Sequence, residues 1–126
     1  MTPQQFRKLA LSFPDTVESE HMNHPDFRHG GKIFASLGAP SEQWAMVNLT
    51  PDQQQAFCDA NFEAFEPCSG AWGRQGYTNV RLSAANTADI RTALTLAQQN
   101  VVASRSRKRT AKKSTPAKRQ SAPGPE

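Results

Sequence analysis

Apolar side chains larger than alanine stop at Val102, and that stop fixes how much of the chain can form a core. From Ala103 to Glu126 the only apolar side chains are alanines. A segment of that composition cannot bury enough surface to offset the entropy of ordering it. The expectation is a folded body over residues 1–103 and a disordered basic tail over residues 104–126. About 100 residues is a one-domain length, able to bury a core without disulfide or metal staples.

Charge divides at the same place. The tail carries Arg105, Arg107, Lys108, Arg109, Lys112, Lys113, Lys118 and Arg119 against Glu126 alone, while residues 1–103 hold seven cations and ten acids. The net +4 of the chain is therefore +7 on the tail and −3 on the body. Cations near phosphates release counterions, which drives binding that is independent of sequence. The tail has no aromatic residue, so base stacking on it is not expected. Nucleic acid, most simply DNA, is the expected partner of these eight cations. A patch for acidic proteins or lipids, or a merely solubilising tail, are the alternatives.

No charged-then-apolar leader opens the sequence, and no apolar run approaches membrane-spanning length. With two cysteines, Cys58 and Cys68, the expectation is a cytoplasmic chain with reduced thiols and no membrane partner.

Thr2-Pro3-Gln4-Gln5 predicts a capped helix start, and Phe6, Leu9, Ala10 and Phe13 follow at the spacing of a packed helix face. Val17 to Met22 alternates weakly, as a strand would. Gly30-Gly31 between Phe27-Arg28-His29 and Lys32–Leu37 predicts a two-residue hairpin. Trp44 to Leu49 reads as a further strand. Thr50-Pro51-Asp52-Gln53 repeats the first helix start, with Ala56 and Phe57 as inward residues of a short helix. Phe62 to Cys68 reads as extended or irregular, and Gly70 to Gly76 as a glycine-rich loop. In the last strand, Tyr77, Asn79 and Arg81 share one face and Thr78, Val80 and Leu82 the other. Asn86 then caps the longest helix, whose buried stripe is Ile90, Leu94, Ala97 and Val101, supported by Ala93. The order α-β-β-β-α-β-β-α gives a two-layer α+β sandwich, an antiparallel sheet with N- and C-terminal helices.

Two stretches resemble the MmcQ/YjbR family. One is His21-Met22-Asn23-His24-Pro25-Asp26-Phe27-Arg28, continuing through Gly31-Lys32-Ile33-Phe34-Ala35. The other is Trp72-Gly73-Arg74-Gln75-Gly76-Tyr77-Thr78. With Thr2 to Pro14 the likeness covers about residues 1–103. The resemblance implies a compact α+β domain of frataxin-like (CyaY-like) topology, a DNA-binding role through a double-wing arrangement of hairpins, and no settled enzyme activity. It says nothing about the tail.

Among chemistry-bearing residues, His21, His24 and His29 with Asp26 invite a metal reading, because imidazoles and carboxylates bind zinc and iron. Their spacing matches no standard zinc pattern, and on a continuous extended chain His21 and His24 point to opposite faces. No metal and no cofactor are expected. Asp26 and Arg28 point the same way along a strand and can pair or face a ligand. Arg74, set between glycines, can hold a phosphate, but no Lys-Ser/Thr follows, which excludes a P-loop. Neither cysteine has a base placed beside it, and no catalytic residue is expected. The leading expectation is a non-enzymatic DNA-binding protein. Its body docks through the hairpin at Gly30-Gly31, with Lys32, and through Arg74, and its tail supplies most of the affinity. The alternative is a small-ligand or protein-interaction module with a pocket formed by His24, Asp26, Arg28 and Trp72.

Overall fold

A computed structural model describes residues 1–38 and 41–113. Its elements are α1 (Pro3–Leu11), β1 (Thr16–His21), β2 (His24–His29), β3 (Lys32–Leu37), β4 (Trp44–Asn48), α2 (Pro51–Ala60), β5 (Phe65–Pro67), α3 (Gly70–Arg74), β6 (Tyr77–Arg81) and α4 (Thr87–Lys113). The helix starts follow from local hydrogen bonding. At α1 the Gln5 amide donates to the Thr2 hydroxyl at 3.1 Å and the Thr2 amide to the Gln5 side chain at 2.8 Å. Thr50 and Gln53 repeat this capping box at α2. At α4 the Asp89 amide donates to the Asn86 side chain at 2.8 Å. Each cap satisfies backbone donors that the first helical turn leaves open.

The six strands form one antiparallel sheet in the order β1-β2-β3-β4-β6-β5. Gly30 and Gly31 turn β2 into β3 with φ of 59° and 84°, the backbone of a tight hairpin that glycine adopts without steric cost. A bulge shifts the register between Phe27 and Arg28, so Phe34 and Ala35 are both fully buried.

One sheet face carries Phe27, Ala35, Leu37, Ala45, Val47, Val80 and Phe65, all buried. Helices α1 and α4 cover it, with Phe6 and Ala10 from the first and Ile90, Ala93, Leu94, Ala97 and Val101 from the second. Helix α2 closes the β5 end, its Phe57 ring 5.0 Å from Phe65. The predicted stripes of α1 and α4 are the ones that pack. The opposite face is covered only in part, by the short helix α3, and it holds the polar clusters described below.

Several details differ from the sequence reading. Four strands precede α2, matching the four extended segments read from the sequence and one more than the order α-β-β-β-α counts, and Met22-Asn23 joins the first two by a hairpin turn with both residues at positive φ. Phe65–Pro67 is an edge strand, and the glycine-rich stretch is a helix, α3. In α2 the inward positions are Gln53, Gln54, Phe57 and Cys58, whereas Ala56 is exposed. Helix α4 does not end with its apolar stripe. Its backbone continues to Lys113, ten residues beyond Ala103. The apolar periodicity stops there, but Ser104–Lys113 contains neither proline nor glycine, and six of its ten residues are Arg or Lys, which favour a helix. Residues 114–126 of the expected tail, with Lys118 and Arg119, lie outside the described residues. Among the described residues no helix is long and apolar enough to cross a membrane.

Candidate functional site

Residues paired across an antiparallel ladder share a face. Asp26 is opposite Ser36, Ser36 opposite Met46, Met46 opposite Asn79, and Asn79 opposite Glu66. This row crosses the face away from the helical layer. Asp26 is fully buried in it. Its carboxylate accepts two hydrogen bonds from Arg28, at 2.7 and 3.0 Å, and lies 2.7 Å from His21 Nδ1. The Arg28 guanidinium above all, with His21, outweighs burial and holds the Asp26 carboxyl below its ordinary pKa. Arg28 is raised in turn, chiefly by its bonds to Asp26. Burial of a charge on this scale requires such pairing.

The turn at Met22-Asn23 explains the place of His21. It sets His21 and His24 opposite one another across the β1–β2 ladder, which corrects the expectation that they face apart. Only His21 reaches Asp26. The His24 ring lies against Gly38, where a Cβ would come within 2.8 Å of its Nδ1. His29 is at the far end of β2, and its Nδ1 is buried without a hydrogen-bond partner among the described residues. Among those residues no three His, Cys, Asp or Glu side chains are grouped to hold a metal ion.

Next to His21 is a cleft of about 370 Å³ lined by His21, Ser36, Met46, Cys68, Ser69, Trp72 and Asn79. The Trp72 indole is 51 % exposed and rests on Tyr77, with ring centroids 4.6 Å apart. Cys68 Sγ donates to Asn79 Oδ1 at 3.2 Å. Burial, aided by the Glu66 charge, pushes the Cys68 thiol up to about 11, far from a reactive thiolate. Cys58 in α2 is also raised by burial. Of the four residues assigned to a pocket from sequence, the structure puts Trp72 in the cleft and pairs Asp26 with Arg28 beside it. His24 is not among the lining residues, and His21 takes that place.

The glycines of the Trp72–Gly76 segment serve packing. A Cβ on Gly73 would sit 1.8 Å from the Cys68 carbonyl oxygen, and one on Gly76 would sit 2.0 Å from that of Leu49. Gln54 of α2 ties the segment down by donating to the Gly73 and Tyr77 carbonyls at 3.0 and 2.9 Å. Arg74 is exposed in the last turn of α3. A second crevice, of about 230 Å³, gathers Lys32, Thr50, Gln75, Tyr77, Asn100 and Val101 among its walls. Lys32 follows the Gly30-Gly31 hairpin and Gln75 follows Arg74, so residues next to both expected docking segments meet here beside the end of the α4 apolar stripe, though Arg74 itself is not among the walls.

A family model described as YjbR matches residues 11–97. The chain belongs to the YjbR family. The match spans all six strands, and so contains both motifs that carry the resemblance, the Asp26–Arg28–His21 cluster and the cleft. It ends before Val101 and the cationic continuation of α4. No curated protein matches this YjbR chain. A solved protein from Pseudomonas syringae is similar in fold, with a TM-score of 0.59 at 16 % identity over 77 % of this chain and 96 % of that one.

Proposed function

We propose that this YjbR chain is a non-enzymatic, cytoplasmic nucleic-acid-binding protein that contacts DNA phosphates without sequence preference. The observation that carries the reading is the continuation of α4. The helix passes from a stripe packed on the sheet into a stretch where Arg105, Arg107, Lys108, Arg109, Lys112 and Lys113 face no acidic residue in sequence. Positions 105, 108, 109, 112 and 113 recur every three to four residues, the spacing that returns to one side of a helix. Cations carried on a helix meet a duplex with less loss of entropy than the same cations on an irregular segment do. Lys32 and the Arg74-Gln75 turn border the crevice next to its base, which suits a docking surface with cations from three segments. The body at −3 supplies little attraction by itself, so most of the affinity belongs to this helix and to Lys118 and Arg119 beyond it. The frataxin-like topology implied by the motifs belongs to the same reading. Its support is an antiparallel sheet with the first and last helices on one face.

The test replaces the six cations of residues 105–113 by glutamine, which preserves helix propensity. Binding to duplex DNA at low salt should weaken by about 30-fold or more, with an unchanged melting temperature. Unchanged affinity would refute the proposal. A second reading, a small-ligand module, is favoured by one observation: the cleft beside the half-exposed Trp72.

A further inference from the structure

We propose that the cleft beside Trp72 binds a planar, uncharged nitrogen heterocycle of one or two fused rings. The inference rests on the small-ligand reading and is independent of the cationic helix.

Shape comes first. Trp72 keeps half its surface exposed, yet its ring is fixed by contact with Tyr77 at 4.6 Å. A fixed, accessible indole is a stacking platform, and a flat ring gains most from it. Met46, only 5 % exposed, provides an apolar floor between Ser36 and Asn79. At about 370 Å³ the cleft lies at the small end of ligand sites, which limits the occupant to one or two rings.

Polarity decides the class. The lining holds no Lys, Arg, Asp or Glu, so it offers no counter-charge to a phosphate or an ammonium group. It offers uncharged donors and acceptors. The Cys68 thiol occupies Asn79 Oδ1, which leaves the Asn79 amide hydrogens as donors. Ser69 stands at the N-cap position of α3 and lines the cleft, and among the described residues its side chain makes no capping bond. His21 Nδ1 is held by Asp26, and Asp26 is itself clamped by Arg28. That leaves Nε2 as the ring's remaining polar atom, free of Asp26 and able to hydrogen-bond an occupant. Donor and acceptor groups fixed by buried partners are preorganised to read the edge of a heterocycle, and preorganisation lowers the cost of binding.

The experiment titrates the full chain carrying Trp44→Phe, so that Trp72 is the sole indole reporter, with adenosine, guanosine, cytidine and nicotinamide. All four are uncharged, hence blind to the cationic segment. The expected result is saturable quenching by at least one of them. Trp72→Ala should weaken that binding between about fivefold and a hundredfold, followed by saturation-transfer NMR, and Trp72→Phe should restore most of it. Asn79→Ala should weaken it further without altering the Trp72–Tyr77 contact. The proposal is overturned if none of the four gives quenching or saturation transfer at about 1 mM, a concentration that reports even millimolar affinity. It is equally overturned if Trp72→Ala binds as the parent does. Loss of DNA binding in the glutamine-substituted chain would leave both outcomes unaffected, so the two proposals fail separately.

Discussion

Replacing Asp26 by alanine should be among the most costly single changes on the sheet. The carboxylate is fully buried and is the shared partner of Arg28 and His21. Removing one member of a buried ion pair costs about 3–5 kcal/mol, because the remaining charge is left uncompensated. Here the Arg28 and His21 side chains are 31 % and 37 % exposed and can recover water, so about 2–3 kcal/mol is expected. Urea unfolding followed by circular dichroism measures it. With a slope of about 1–2 kcal/mol/M for a domain of this size, the midpoint should fall by about 1–2 M. Asp26→Asn adds a pH signature. The native carboxyl lies below its ordinary 3.8, so its contribution is fully present above that value and is lost as pH falls through the lower native one. The gap in stability between wild type and Asp26→Asn should therefore stay constant from pH 7 to about 5 and close below about pH 4. A midpoint for Asp26→Ala within about 0.3 M of wild type would refute the reasoning, as would a gap that widens in acid.

Further outcomes follow from individual contacts. Leu94→Ala removes a side chain with no exposed surface from the α4 stripe and should cost about 2–5 kcal/mol by the same urea assay. Gly76→Ala should cost about 2 kcal/mol or more in thermal unfolding, since the new Cβ meets the Leu49 carbonyl at 2.0 Å and φ is 112°. Cys68, with its thiol at about 11, should react with iodoacetamide at pH 8 far more slowly in the native chain than in urea, as resolved by peptide mass spectrometry.

What could be read in advance was what is local. Thr2 with Gln5, Thr50 with Gln53, and Gly30-Gly31 act within four residues, and each is where the sequence predicts it. The Met22-Asn23 turn was missed because neither residue is glycine, and a methionine at φ 51° runs against its steric preference. That miss put His21 and His24 on opposite faces. Helix α3 was missed because two glycines inside a five-residue helix contradict propensity. Contacts from afar hold it, with Gly73 against Cys68 and Gln54 reaching across 19 residues. The cleft was half legible. Trp72 and His21 stand in recognisable motifs, as do Asp26 and Arg28 beside the cleft, but Ser36, Met46 and Asn79 become neighbours only through the register of β3, β4 and β6. The end of α4 was placed at Ala103 because apolar periodicity marks where packing stops, not where helical hydrogen bonding stops.

The most direct test of the nucleic-acid proposal is the salt dependence of DNA binding by the full chain, measured by fluorescence anisotropy on two duplexes of unrelated sequence. If about four to six cations sit at phosphates, log affinity should fall with log salt at a slope of about −4 to −5, alike for both duplexes. A slope near zero, or the same slope and affinity after the six cations of residues 105–113 are replaced by glutamine, would contradict it.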